Sequence, residues 1–398
     1  MNAMNIKMWV MAGSFFIGWT AIGQTEEIKF PSNPLEGRSI FVQKGCIQCH
    51  SVFGERDSLG PDLTRIGEGR NFAKLVGLFW SHTPKMIDLM EEKGIAYPHF
   101  SEVEMEQLMS YIYFLSYFSK PGDYSLGKQI FESKECIKCH SLGGHGGQVA
   151  PALDAYAKCA TPIYLIQAMW NRGPKMSAKM KELHVERPIF QQDELKHLIA
   201  YIRAAATDVS AETLFSLPGN PKVGKQVYEN KGCATCHNPK NGSTRIGPDL
   251  SSPDRSGLSI DDIAERLWVY GSPMWEKMEE LEMPVPVFEK KEMIDLIAYL
   301  HFLPYSSIRG DANRGQKLFV EKGCVMCHGA NNQQKDGPRR SLVEASESFI
   351  SLATEMWNHT TVMREMLAKK NLRWPQFFED EMQDLLIYLR SLHKDEAK

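Results

Sequence analysis

Apolar residues recur at nearly helical spacing along most of the chain. Between positions 101 and 116 they include Met105, Leu108, Ile112 and Leu115, close to the 3.6-residue period of an amphipathic helix. Three later stretches repeat this pattern: 192–205, 290–303 and 380–392. Because no stretch alternates strictly between apolar and polar residues, the pattern predicts an all-α fold.

Eight of the nine cysteines stand in four copies of one pattern, Cys-x-x-Cys-His. This spacing lets two thiols bond to the vinyl groups of a single haem while the adjoining imidazole binds the iron. A zinc knuckle, a dithiol redox pair or a structural disulfide could explain one copy, but four copies with histidine at the same offset favour haem. We therefore predict four covalently bound haem c groups, with the four histidines as iron ligands. The predicted attachment residues are Cys46, Cys49, His50, Cys136, Cys139, His140, Cys233, Cys236, His237, Cys324, Cys327 and His328.

The four signatures belong to a longer repeat. Their first cysteines lie 90, 97 and 91 residues apart, and each signature is followed by a Trp and a Tyr that are 31 residues apart in every copy. Each is preceded by a segment with a glycine and an aromatic residue, at 37–41, 127–131, 224–228 and 315–319. Constant spacing of this kind is typical of tandem copies of one folded unit. The predicted units, numbered 1 to 4, are 33–119, 123–207, 220–305 and 311–394.

In the order of these features the chain resembles the class I cytochrome c fold, in four tandem copies. The matching elements include Gly-Pro-Asp-Leu at 60–63 and Leu-Ile-Ala-Tyr-Leu at 296–300, in a last helix. The resemblance implies that Gly37 and its equivalents let the first and last helices cross closely. It also implies that the Pro61 carbonyl accepts a hydrogen bond from His50, which would fix the ring and raise its basicity.

A methionine six residues after each repeated tryptophan is the predicted second axial ligand. These methionines are Met86, Met176, Met274 and Met363. In three units a proline shortly before the methionine would interrupt a helix and present the side chain at the break. These prolines are Pro84, Pro174 and Pro273. A second methionine, ten residues after the tryptophan, remains an alternative ligand at Met90, Met180 and Met278, and either set could simply pack against haem.

Histidine is a further alternative for the sixth position in two units. His82 and His359 stand two residues after the tryptophan in units 1 and 4, whereas Arg172 and Tyr270 occupy this position in units 2 and 3. The choice affects function, because a methionine ligand raises the haem potential and a second imidazole lowers it. Four histidine–methionine haems would suit a carrier that works at fairly high potential.

The repeated tryptophans and one extra cysteine have less specific interpretations. The indoles could each donate a hydrogen bond to a haem propionate, or they could pack in the core. Cys159, outside every signature, is interpreted as a small buried apolar residue. The repeated tryptophans are Trp80, Trp170, Trp268 and Trp357.

Composition narrows the class further. The chain has 398 residues, of which 43% are hydrophobic and 24% charged, with a net charge of −3. This composition excludes a largely disordered chain, a polytopic membrane protein and the basic footprint of a nucleic-acid binder.

At the start of the chain, Lys7 precedes an apolar run at 8–22, which predicts a signal peptide at 1–23, with an uncleaved anchor as the alternative. The location expected is periplasmic or extracellular, which also fits the resemblance, because haem c is attached outside the bacterial cytoplasm.

The functional prediction is one-electron transfer between redox partner proteins. No P-loop, dinucleotide fingerprint or separate metal cluster is found, so no catalytic residue is predicted and no enzyme is expected. Two alternatives remain open. One is a haem peroxidase or small-oxyanion reductase with an open haem site, sought first in unit 4 because 337–340 loses the leucine of the repeat. The other is a subunit of a membrane respiratory complex or of an extracellular filament.

Charge differs between neighbouring units. Residues 127–207 carry 11 basic and 7 acidic side chains, a net +4, while residues 224–305 carry 9 basic and 13 acidic side chains, a net −4. We hypothesise that units 2 and 3 dock partly through these opposite fields, with two solvated faces as the alternative.

Overall fold

The computed structural model describes residues 31, 33–54, 58–118, 121–157, 160–191, 193–205, 219–237, 246–289, 291–328 and 344–396. These residues are predominantly helical, which confirms the all-α prediction. A small exception in unit 2 is the antiparallel hairpin of β1 (Ser141–Leu142) and β2 (His145–Gly146).

The helices form four groups that correspond to the four repeats. Units 1 and 2 contain α1 (Glu36–Gln43), α2 (Phe72–Lys93), α3 (Glu102–Phe114), α4 (Tyr124–Ser133), α5 (Asp154–Ala157), α6 (Pro162–Glu182) and α7 (Glu194–Ala204). Units 3 and 4 contain α8 (Pro221–Asn230), α9 (Cys233–Cys236), α10 (Ile260–Val269), α11 (Gly271–Glu280), α12 (Glu292–Phe302), α13 (Ala312–Glu321), α14 (Phe349–Asn358), α15 (Thr360–Lys369) and α16 (Glu381–Glu396). Short 3-10 helices also occur, at Cys46–Gln48, Leu115–Tyr117, Cys136–Lys138, Pro253–Arg255 and Cys324–Met326.

The first and last helices of each unit cross at a glycine. A Cβ atom on Gly37 of α1 would collide with the carbonyl oxygen of Gln107 in α3. Beside this crossing the rings of Phe41 and Tyr111 lie 5.8 Å apart. The close approach of the two backbones therefore requires a residue without a side chain. The equivalent crossings are made by Gly127, Gly224 and Gly315.

A lysine brace fixes each signature against the last helix of its unit. Lys44, two residues before the first cysteine of unit 1, forms an ion pair with Glu104 at 2.8 Å and donates a hydrogen bond to the His99 carbonyl oxygen at 2.7 Å. Glu104 also completes a capping box with Ser101 at the start of α3. The equivalent ion pairs are Lys134–Glu194, Lys231–Glu292 and Lys322–Glu381, at 2.9, 2.8 and 2.9 Å. This brace was not predicted from the sequence.

The units do not associate in the order in which they follow one another along the chain. Helix α2 of unit 1 packs against α14 and α16 of unit 4, whereas α6 of unit 2 packs against α10, α11 and α12 of unit 3. We refer to these associations as the 1–4 pair and the 2–3 pair. The contact expected between units 2 and 3 is therefore present, and its chemistry is described below.

The two pairs meet where unit 1 touches unit 3. The Tyr113 hydroxyl donates to the carbonyl oxygen of His301 at 2.8 Å and accepts from the Gly257 backbone N–H at 2.9 Å. Burial lowers the pKa of His301 to about 4, so the ring is neutral in this apolar environment. The surrounding aromatic side chains are Phe114, Tyr117, Phe302 and Tyr305. The spatial order of the units is consequently 4–1–3–2.

The predicted helix break at the prolines is wrong in units 1 and 2. Helix α2 continues through Pro84, and α6 continues through Pro174. In a regular helix the backbone N–H of residue 84 would donate to the carbonyl oxygen of Trp80, but proline has no N–H. In unit 1 this carbonyl oxygen instead accepts a hydrogen bond from the indole N–H of Trp374 at 3.1 Å. Breaks do occur in units 3 and 4, at Tyr270 and at His359, so in unit 4 the break needs no proline.

The predicted signal segment, 1–23, lies outside the described residues. Within the part of the chain that the structure describes, no helix has the length and apolar character that crossing a membrane requires.

Candidate functional site

An apolar cavity opens beside the signature in units 1, 3 and 4. In unit 1 it is lined by Cys46, Cys49 and His50 on one side and by residues of α2 and α3 on the other. The Nδ1 atom of His50 lies 3.0 Å from the Pro61 carbonyl oxygen and donates to it, which leaves Nε2 as the ligand nitrogen. The same contact joins His140 to Pro151 at 2.8 Å and His237 to Pro248 at 2.9 Å.

The residues around these cavities fit a covalently attached haem. Both signature cysteines line the cavity in units 1 and 3, as attachment to one group inside it requires. The remaining lining is dominated by Leu, Phe, Met and Ile side chains, suited to a flat apolar group.

Three of the four methionines predicted as axial ligands line a cavity. In unit 1, Met86 and the alternative Met90 line the same cavity, and in unit 3 both Met274 and Met278 do so. Met363 lines the cavity of unit 4. Met176 of unit 2 is half-buried against the core. Since methionines of both sets line the cavities of units 1 and 3, the choice of methionine ligand stays a prediction.

The histidines of units 1 and 4 that follow the repeated tryptophan also face the cavities. The ring centre of His359 lies 6.4 Å from that of His328. His82 lines the cavity of unit 1 together with His50. Burial lowers the pKa of His82, and the nearby His50 and Lys85 lower it further. Unit 1 and unit 4 therefore each have two imidazoles in their own cavity.

A family model described as cytochrome c matches residues 124–206, 222–304 and 312–393, which together make up more than half of the chain. The chain belongs to the cytochrome c family. This confirms the resemblance seen in the sequence and supports electron transfer by covalently bound haem c. The matched segments fall in units 2, 3 and 4, so the count of four haems in this cytochrome rests on the signature in unit 1.

One curated relative is the cytochrome c oxidase subunit 2 of Alkalihalophilus pseudofirmus, which is 28% identical over 117 residues. The match covers 27% of this cytochrome and 34% of the relative, so the chain spans about a third of that protein's length. No solved structure matches the chain.

The repeated tryptophans of the cytochrome do not point to a haem edge within their own unit. Each indole N–H donates to a proline carbonyl of the paired unit. Of the two interpretations of these tryptophans, the bond to a propionate is therefore wrong, and packing in the core is confirmed, since all four side chains are buried. In the 1–4 pair, Trp80 donates to Pro375 at 3.0 Å and Trp357 donates to Pro98 at 2.7 Å. The 2–3 pair repeats this reciprocal contact, with Trp170 to Pro286 at 2.9 Å and Trp268 to Pro188 at 2.7 Å.

The sequence contains a signal for this contact that the sequence reasoning missed. In all four units a proline stands 18 residues after the repeated tryptophan: Pro98, Pro188, Pro286 and Pro375. A constant spacing outside the haem signature indicates a constant partner, but it does not say whether that partner lies in the same unit or in another one. Only the packing of the units shows that the contact is between units.

The residue before this proline varies, and it determines the remaining contacts. Tyr97 and Trp374 each donate to the carbonyl of the partner's tryptophan, at 3.0 and 3.1 Å. Arg187 does the same in the 2–3 pair at 2.9 Å, and its guanidinium lies 3.5 Å from the ring centre of Trp268. The fourth residue of this set, Val285, has no donor group in its side chain.

The contact between units 2 and 3 is thus built from aromatic rings, hydrogen bonds and a guanidinium that lies over an indole. This chemistry does not require the opposite net charges of the two units, and the role of those charges stays a hypothesis. Cys159 lies outside the described residues, so its interpretation as a small buried apolar residue is untested.

Proposed function

We propose that this chain is an exported four-haem cytochrome that relays electrons between redox partners through two pairs of units. The observation that carries the proposal is the sharing of tryptophans between haem cavities. Trp357 of unit 4 lines the cavity of unit 1, Trp80 of unit 1 lines that of unit 4, and Trp170 of unit 2 lines that of unit 3. Each such cavity is therefore completed by its paired unit.

The shared tryptophans hold the paired cavities at a fixed distance. In the 1–4 pair, Trp357 stacks on Phe79 with ring centres 4.3 Å apart and on Tyr97 at 4.8 Å, while Trp80 stacks on Trp374 at 4.4 Å. A haem supplies the change between ferric and ferrous iron, and the chain supplies the rigid spacing and the apolar surroundings. Electrons would move within each pair and cross between pairs where unit 1 meets unit 3.

Export and a respiratory partner are part of the same proposal. Export is supported by the predicted signal segment at 1–23, and by the fact that haem c is attached outside the bacterial cytoplasm. The similarity to part of a cytochrome c oxidase subunit 2 supports a partner in a respiratory chain. An enzyme with one open haem site is the competing function, and the absence of carbon monoxide binding to the reduced protein would argue against it.

The spatial order 4–1–3–2 can be tested with the full-length protein after haem quantification. The double variant Cys324→Ala with Cys327→Ala removes the attachment of haem 4, and the matched variant Cys136→Ala with Cys139→Ala removes that of haem 2. We expect loss of haem 4 to shift the midpoint potential of haem 1, and loss of haem 2 to shift that of haem 3. The reason is that the charges of the haems in two paired units interact most strongly.

A chain of haems in sequence order would give a different result. Loss of haem 4 would then shift haem 3 alone, which would overturn the paired arrangement. Since a unit without haem could unfold, Trp357→Leu serves as the second variant. It should keep four haems and perturb the potentials of haems 1 and 4 only.

A further inference from the structure

The position two residues after the repeated tryptophan differs between the two pairs of units. In unit 4, His359 lies at the break between α14 and α15, where the chain leaves one helix and enters the next. Its ring faces His328 across the cavity, with ring centres 6.4 Å apart and planes inclined by 66°. Both rings line this cavity together with Met363.

The distance between these rings matches two imidazoles on one metal ion. A bond between a first-row metal and an imidazole nitrogen is about 2.0 Å, so two imidazoles on opposite sides of one ion have ring centres about 6 Å apart. The structure therefore places His359 where a second axial ligand of the His328-bound iron would stand.

Unit 1 has the same arrangement of residue types. His82 precedes Met86 by four residues on α2, so both side chains lie on one face of the helix, and both line the cavity that contains His50. A histidine at this position can reach the cavity without any break in the helix.

Units 2 and 3 lack an imidazole at this position. The guanidinium of Arg172 lies 5.9 Å from the ring centre of Tyr156, and Tyr270 is 55% exposed. The cavity of unit 3 is instead lined by Met274, Met278 and Met283. Tyr270 also lines this cavity, but three thioether sulfurs are available there against one phenol. Met176 is the residue of unit 2 that corresponds to Met274.

The geometry points to His82 and His359 as the second axial ligands in units 1 and 4, with methionine kept in units 2 and 3. This inference rests on the four-haem function proposed above. A second imidazole lowers a haem potential and a thioether raises it, so the 1–4 pair is the low-potential half of the molecule. Electrons then run from the 1–4 pair to the 2–3 pair across the Tyr113–His301 contact.

The test is spectroscopic and uses the oxidised full-length protein. The variants are His359→Ala and His82→Ala. The matched controls are Met363→Leu and Met86→Leu, each four residues after the histidine of the same unit. We expect the wild-type methionine–iron charge-transfer band to have the intensity of two haems out of four. Each histidine variant should convert one haem to a high-spin, exchangeable state that binds carbon monoxide when reduced, and each methionine control should leave the band unchanged.

Opposite results would overturn the assignment. They are a methionine band with the intensity of four haems, or a band that Met363→Leu weakens while His359→Ala leaves every haem low-spin. Because a cavity-forming substitution could unfold unit 4, His359→Gly is measured with added imidazole, which should restore the low-spin spectrum. A haem count other than four would count against the proposed function, whereas four haems with the wrong ligand spectrum would count against this inference alone.

Discussion

The 1–4 pair and the 2–3 pair use the same reciprocal contact but surround it differently. In both, each tryptophan indole bonds to a proline carbonyl of the partner. Around this contact the 1–4 pair places stacked aromatic rings, whereas the 2–3 pair places Arg187 over two indoles, at 3.5 Å from Trp268 and 4.9 Å from Trp275. The tryptophan and the proline therefore supply the contact that both pairs share, and the neighbouring residues distinguish one pair from the other.

Removing a shared tryptophan should give the largest effect. Trp357→Ala loses the indole bond to Pro98 and the stacking on Phe79 and Tyr97, and we expect it to cost about 3–5 kcal/mol of unfolding free energy. Trp268→Ala in the 2–3 pair is the matched variant and should cost a similar amount. Denaturant unfolding followed by haem absorbance measures both, and near-wild-type stability of either variant would contradict the role of the contact.

The junction of the 2–3 pair with unit 1 should make stability depend on pH. Burial raises the pKa of Asp261 to about 7, and Asp262 and Asp193 raise it further while Lys196 opposes them. An acid whose folded pKa lies above its unfolded value is disfavoured once it ionises, so the contribution of Asp261 to stability should fall as pH rises from about 4 to about 7 and then level off. His301, whose folded pKa is about 4, contributes in the opposite direction over the same range, so the effect of Asp261 is measured as a difference from its variant. The change is on the order of 2–4 kcal/mol. Thermal unfolding of the wild type and of Asp261→Asn at several pH values should show that the difference in stability between the two proteins changes by this amount between about pH 4 and about pH 7, in favour of the variant at the higher pH.

Arginines at the two interfaces should respond differently to substitution. Arg187→Lys removes the bond to the Trp268 carbonyl and the flat contact with the indole, for an expected loss of about 1–3 kcal/mol. Arg364 pairs with Asp88 and Glu91 at the exposed edge of the 1–4 pair, so Arg364→Lys should cost less than about 1 kcal/mol. Unfolding at low and high salt distinguishes them, since only the Arg364 contribution should be screened. Equal costs would show that the stacked guanidinium contributes no more than a surface ion pair.

The smallest expected effect is a gain in the stability of the 2–3 pair. Asn171 bonds to both backbone groups of Phe288, at 3.0 and 2.8 Å, while Val269 holds the reciprocal position opposite Phe190. Val269→Asn should add such bonds and stabilise the 2–3 pair by about 0.5–1.5 kcal/mol. Asn171→Val is the control and should destabilise it. A loss of stability in Val269→Asn would mean that the two sides of this contact are not equivalent.

Much of the fold and of the site could be predicted from the sequence. The haem signatures and the all-α class follow from local spacing, because a helix and a two-thiol attachment each involve residues close in the chain. The glycine crossings were implied by the resemblance to class I cytochrome c, since Gly37 meets Gln107 of a distant helix. The helix through Pro84 was not predictable, because the donor that satisfies the Trp80 carbonyl is Trp374, 294 residues away. The sequence also left the ligand choice in units 1 and 4 open, since His82 and Met86 both stand at acceptable spacing, and our proposal for it relies on the distance between His328 and His359.

The sequence by itself determined that this protein consists of repeated haem-binding units with the same internal architecture. It could not determine which units associate, because every unit carries both the tryptophan and the proline of the reciprocal contact and could in principle pair with any other. The tertiary structure decided the order 4–1–3–2. The choice depends on complementary side chains that vary from unit to unit, such as Trp374 beside Trp80 and Arg187 beside Trp268, and on the buried contact between Tyr113 and His301 that joins the two pairs.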